Sequence, residues 1–87
     1  MHAVVVRVTI SDEGDAERAL RENVVPSVSQ APGFVAGYWT RKDNTGLSMI
    51  IFESEDAAQQ MADRIGSDIP ESVTFEGAEV RSVAANA

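Results

Sequence analysis

The chain has 87 residues, no cysteine and one histidine, which excludes a disulfide framework, a thiolate metal site and a cysteine nucleophile. Lys and Arg number 7 and Asp and Glu 14, and the resulting net charge of −7 disfavours nucleic acid as a partner. Hydrophobic residues are 44% and charged residues 24% of the chain, a balance typical of a single globular domain over residues 1–87.

Membrane and metal partners are not expected either. The N-terminal residues lack the basic segment and apolar run of a secretory signal, and no apolar run reaches the roughly 20 residues that span a membrane. We therefore expect a cytoplasmic protein. A lone histidine, His2, does not supply a metal ligand set, so no metal is expected.

The first part of the chain predicts a strand followed by a helix. β-Branched residues dominate from Ala3 to Ile10, which predicts the strand. A helix is predicted over about residues 16–30, where small and apolar residues recur on one helical face. Asp12 or Asp15 can cap it, since a carboxylate accepts hydrogen bonds from the unpaired N–H groups of a first helical turn.

Two residues stand out inside this predicted helix. Asn23 lies on the apolar face, where a polar side chain is unexpected. Pro26 has no N–H and removes one helical hydrogen bond, so a kink is predicted near Glu22.

A β-hairpin is predicted next. Aromatic and alternating residues predict a strand over residues 34–41, and a returning strand is predicted over residues 47–53. The loop between them contains Asn44 and Gly46, which we expect at positive φ.

The remaining residues predict a second helix and a last strand. Ser54 is the predicted N-cap of this helix. Its buried stripe is predicted to contain Ala58, Met61, Ala62 and Ile65. The last strand is predicted over about residues 73–83, and its alternation changes phase at Gly77, which predicts a bulge.

The order β-α-β-β-α-β predicts an α+β fold, the ferredoxin-like arrangement with a four-stranded antiparallel sheet and two helices on one face. Right-handed crossovers then place the first and third strands in the centre of the sheet. Both faces of the predicted strands carry apolar side chains, whereas two helices cover only one face. We therefore expect a homodimer that pairs through the helix-free face.

The chain resembles a known superfamily over about residues 3–83. The residues that carry the resemblance are the helix exit Pro32-Gly33-Phe34, the strand Ile50-Ile51-Phe52-Glu53 and the helix start Ser54-Glu55-Asp56. Together they are similar to the dimeric α/β-barrel superfamily, and within it to the antibiotic biosynthesis monooxygenase-like domains.

That resemblance implies a small dimeric protein that oxidises or binds a small apolar or aromatic molecule without a cofactor. The haem-degrading members of the superfamily use a histidine on the second helix and an asparagine on the first strand. The predicted second helix here has no histidine and the first strand no asparagine, so haem degradation is not implied. The alternatives are a homodimer that binds a ligand without catalysis and a purely structural homodimer, and either is compatible with a sequence that contains no recognisable acid–base pair or metal-ligand spacing.

Four residues are candidates for lining a ligand pocket: Arg7, Asn23, Tyr38 and Trp39. Trp39 could stack on an aromatic molecule or simply pack in a core. Tyr38 is expected to face the helices, opposite Trp39, and could donate a hydrogen bond or be a core tyrosine. Asn23 could polarise a bound carbonyl or phenolate, or bond to nearby backbone. Arg7 could bind an anion or pair with Glu53, Glu76 or Glu79.

Overall fold

A computed structural model describes residues 1–67, 69 and 71–87. Its strands are β1 (His2–Ile10), β2 (Phe34–Lys42), β3 (Thr45–Phe52) and β4 (Val73–Ser82). Its helices are α1 (Glu13–Ala19), α2 (Val25–Ser29) and α3 (Glu55–Ile65), and a π-helical segment (Leu20–Val24) joins α1 to α2.

The four strands form one antiparallel sheet in the order β2-β3-β1-β4. The central positions of β1 and β3, and the helices packed on one face, confirm the predicted ferredoxin-like α+β fold.

Side-chain caps begin both helical regions. The Asp12 carboxylate accepts a hydrogen bond from the Asp15 backbone N–H at 3.1 Å, so α1 begins at Glu13, three residues before the predicted start. The Ser54 hydroxyl accepts from the Ala57 N–H at 3.2 Å, as predicted for the last helix.

The irregularity predicted around Glu22 takes the form of the π-helical segment. The Val25 N–H donates to the Leu20 carbonyl, five residues back rather than four. In a regular α-helix the Pro26 ring would collide with the Glu22 carbonyl. The wider turn immediately before Pro26 avoids this collision.

The core lies between the helices and one face of the sheet. Val4, Ile50 and Phe52 are fully buried there, and α3 adds Ala58, Met61 and Ile65. These residues confirm the predicted buried stripe of α3, with Ala62 half-buried beside it.

A bulge in β2 overturns the predicted alternation of that strand. Phe34 pairs with Phe52 and Ala36 with Ile51, so Val35 is an extra residue on β2. Phe34 therefore faces the helices on the same side as Trp39, where its ring meets Phe52 edge to face at 6.2 Å.

The bulge predicted in β4 is present. Arg7 pairs with Gly77 and Val8 with Phe75, so Glu76 is the extra residue. This places the change in alternation where the sequence changes phase.

The hairpin turn differs from the predicted one. The strands pair as far as Lys42 and Thr45, which leaves a two-residue turn with Asp43 at φ 55°. Neither Asn44 nor Gly46 has positive φ. Gly46 lies within β3 instead, and a Cβ atom there would be 2.7 Å from the Val8 Cγ2 atom.

Among the described residues, no helix combines the length and apolar character that crossing a membrane requires.

Candidate functional site

An open cavity of about 330 Å³ lies between the sheet and the helical layer. That volume is within the range of small-molecule sites. Its walls are mainly apolar and include Val8, Ile10, Leu20, Val24, Met61 and Ile65.

Unequal packing of the helices creates this cavity. α3 packs on β1, β3 and β4, and α2 contacts β2, whereas α1 and the π-helical segment contact mainly their own neighbours along the helix. α1 thus stands off the hairpin end of the sheet, whereas Val24 and Val28 reach the core from the π-helical segment and α2. Gly46 lines the cavity at the hairpin end. Because it has no side chain, it leaves space for Val8, and the cavity is deeper there.

Exposed charged side chains form the rim. Arg41, at the end of β2, makes an ion pair with Glu13 at the start of α1, so the two layers are bridged at the cavity mouth. Glu17 and Arg64 also line the rim. Charge of both signs is therefore available at the mouth, while the walls remain apolar.

Trp39 forms one wall of the cavity. It is half-buried and packs against the core, and its ring atoms Cη2 and Cζ3 lie 2.7 and 2.8 Å from where a Cβ on Gly37 would be. Any side chain at position 37 would displace the indole. The glycine thus leaves room for the indole over β2, beside the cavity.

Neutral polar groups face the cavity from both layers. Asn23 lies on the π-helical segment, and Ser48 lies on β3 in register with Trp39. Within the described part of the chain, neither side chain hydrogen-bonds to protein. Both are therefore free to bind a polar atom of a ligand.

Two of the four sequence-predicted residues, Asn23 and Trp39, thus meet at this cavity, whereas Tyr38 and Arg7 do not. The predicted orientation of Tyr38 toward the helices is wrong. It lies on the helix-free face with 65% of its surface exposed, because Trp39 occupies the helix side of the strand.

Arg7 lies on the same open face and makes the predicted kind of ion pair. Its guanidinium is 3.3 Å from Glu79, which Arg81 also contacts at 2.9 Å. The hydrogen bond from Arg81, reinforced by Arg7, lowers the pKa of the Glu79 carboxyl. Arg7 is therefore held in a surface ion network on the other side of the sheet.

The helix-free face exposes large apolar side chains in this single chain. Tyr38, Leu47 and Met49 are 65%, 46% and 44% exposed, and Val35 at the bulge is 46% exposed. Val5, the register partner of Met49 on β1, is itself buried. The open face thus presents a continuous apolar surface beside the Arg7–Glu79–Arg81 network.

Among the residues that the structure describes, the other titratable groups do not gather into a second centre. The His2 Nε2 atom is 3.5 Å from the Glu55 carboxylate, far along β1 from the cavity. The described ranges 1–67, 69 and 71–87 contain no group of three or more acidic, histidine or cysteine side chains placed to hold a metal ion.

Ser48 and Arg64 are among the polar cavity residues that the sequence did not predict. Ser48 did carry a signal, since it is a polar residue at an inward position of a central strand. Arg64 carried none, because an arginine in the last turn of a helix is ordinary for that position.

Two solved structures share this fold. One is a variant of SnoaB, a cofactor-independent oxygenase from Streptomyces nogalater, with a TM-score of 0.74 and 15% identity over 98% of this chain and 94% of that one. The other is a dimeric ferredoxin-like protein from an uncultured marine organism, with a TM-score of 0.60 and 12% identity over 99% of this chain and 97% of that one.

These similarities confirm, at the level of the fold, the resemblance that the sequence predicted. At 15% and 12% identity they establish the fold alone. An activity has to be argued from the residues of the site. No family model and no curated protein matches the sequence.

Proposed function

We propose that the cavity binds a small aromatic molecule and that the protein catalyses its oxidation by O₂ without a cofactor. The observation that carries this proposal is the apolar cavity of about 330 Å³, with an indole wall and neutral polar groups on both layers. The fold shared with a cofactor-independent oxygenase supports the same reaction class.

The chemistry requires an acidic, electron-rich substrate such as an anthrone. A methylene carbon loses a proton, and the carbanion gives electrons to O₂ and forms a carbon–oxygen bond. The peroxide anion so formed takes up a proton from solvent, and the resulting hydroperoxide loses water and leaves a carbonyl group. A methylene and O₂ thus become a carbonyl and water, and the substrate supplies every electron.

The chain's own residues have defined roles in this proposal. Trp39 offers a flat surface against which an aromatic ring stacks. The Asn23 amide donates to the substrate oxygen on which negative charge develops once the proton leaves. Asn23 is exposed at the open cavity, so it is the bound ligand that shields this hydrogen bond from water, and the released proton leaves through the charged mouth.

We also propose that the protein functions as a homodimer that pairs through the helix-free face. A large apolar side chain left in water forgoes about 1.5–3 kcal/mol of burial, and this face exposes Tyr38, Leu47 and Met49 together. The second neighbour is described as dimeric, which supports this assembly. Because the cavity opens on the opposite side of the sheet, pairing leaves the site accessible.

Aerobic incubation with anthrone tests the proposed reaction. We expect anthraquinone to form with consumption of one O₂ per product, faster than in buffer alone and in the presence of a metal chelator. Binding without accelerated product formation would contradict catalysis and favour a ligand-binding homodimer. Absence of both binding and turnover would contradict the ligand site itself.

A further inference from the structure

We infer that Ser48 is a specificity-determining residue, whose hydroxyl holds a carbonyl or phenolate oxygen of the ligand against the cavity floor. This inference rests on the proposed function of the cavity and adds a residue that selects the ligand's chemistry.

The position of Ser48 is unusual for a serine. It lies on β3, one of the two central strands, with Val6 and Trp39 as register partners on either side. Gly46 and Ile50, the next residues on the same face of this strand, are both buried. Inward positions of central strands normally carry aliphatic side chains. A serine at this position loses apolar contact, and the fold does not require its hydroxyl.

The hydroxyl of Ser48 has no protein partner among the described residues. The adjacent Thr40 shows the contrast, since its hydroxyl donates to the Leu47 carbonyl. Ser48 is half-buried and lines the cavity, so its hydrogen bond goes to whatever occupies that space.

Its surroundings determine which ligand atom it meets. Trp39 is its register partner on β2 and lines the same cavity, so a ring that contacts the indole lies near the Ser48 hydroxyl. The charged residues of the cavity lie at the exposed rim, whereas the floor around Ser48 contains Val6 and Val8. A neutral hydroxyl on an apolar floor therefore selects a ring that carries an oxygen at its edge over a pure hydrocarbon of the same shape.

Paired ligands test this selection. Anthrone and dihydroanthracene have the same three-ring frame, but only anthrone carries a carbonyl oxygen. Anaerobic binding is followed by the fluorescence of Trp39, the single tryptophan of the chain. We expect the wild-type protein to prefer anthrone, and Ser48→Ala to reduce that preference by roughly tenfold, as expected for loss of one hydrogen bond.

Ser48→Thr keeps the hydroxyl and serves as the matched variant, so it should retain the preference for anthrone even if both ligands bind more weakly. An unchanged preference in folded Ser48→Ala would overturn the role of Ser48 while leaving the proposed function intact. Failure of both ligands to bind the wild-type protein would overturn the ligand site and this inference together. Circular dichroism verifies that each variant is folded before its binding is compared.

Discussion

Consecutive residues of β2 serve opposite faces of the sheet. Trp39 lines the cavity, and Tyr38 lies on the exposed helix-free face. The strand pleat imposes this opposition, and the sequence predicted it. The sequence predicted the wrong one of the two, Tyr38, to face the helices, because both residues are aromatic and alternation alone does not show which face is inward. The position of Phe34 did not help, because the extra residue at Val35 interrupts the alternation between Phe34 and Tyr38.

Substitutions at the cavity follow from this division. Asn23→Ala should lower kcat/KM for anthrone by about tenfold or more, since a hydrogen bond to a charged group contributes about 1.5–3 kcal/mol. Trp39→Phe should raise KM more than it lowers kcat, because it reduces the stacking surface that the bound ligand already uses. Steady-state kinetics under O₂ measure both effects.

The matched control for the amide is Asn44→Ala, which removes the same group from the exposed hairpin turn. Its kinetics should equal those of the wild-type protein. Turnover that is indifferent to both cavity substitutions would contradict the assignment of Asn23 and Trp39 to the site.

The π-helical segment is the element that gives the site its shape. It carries Asn23 and joins α1, which stands off the sheet, to α2, which contacts β2. The sequence predicted an irregularity here from Pro26. It did not predict a π-helix, because a missing N–H is compatible with a kink or with a wider turn, and tertiary packing selects between them.

Pro26→Ala tests whether this segment positions Asn23. The new N–H can donate to the Glu22 carbonyl and favours a regular α-helix, which advances the chain by about 100° per residue. Asn23 would then rotate away from the cavity. We expect more helical signal in circular dichroism and an anthrone affinity reduced as in Asn23→Ala.

Pro32→Ala is the control for this substitution, because Pro32 lies in the exposed turn after α2. It should bind anthrone like the wild-type protein. A Pro26→Ala protein that gains helix yet keeps wild-type affinity would show that the π-helical segment does not position the amide.

At the scale of the whole molecule, the helix side of the sheet encloses the cavity and the open side exposes an apolar surface. The element order and the two-sided apolar pattern were sufficient to predict this architecture, since they depend on strand periodicity and crossover handedness. The sequence did not predict the cavity. Its volume depends on how far α1 stands from the sheet, which no local pattern encodes.

Sedimentation tests the assembly expected from the open side. At low micromolar concentration we expect a species of about 18.6 kDa, twice the 9.3 kDa of one chain. Met49→Lys places a charge within the exposed apolar surface and should shift the protein toward the monomer. Gln59→Lys, on the exposed side of α3, adds the same charge and should leave the dimer unchanged. A folded wild-type monomer at this concentration would contradict the dimer.

The most direct test of the ligand site is an anaerobic titration of the wild-type protein with anthrone, followed by the emission of Trp39. The chain has one tryptophan and that residue lines the cavity, so its emission reports occupancy of this site. A free tryptophan derivative corrects for light absorbed by the ligand. We predict a saturable change with one anthrone bound per chain. No change, or a change that rises linearly without saturation, would contradict a ligand site between the sheet and the helices.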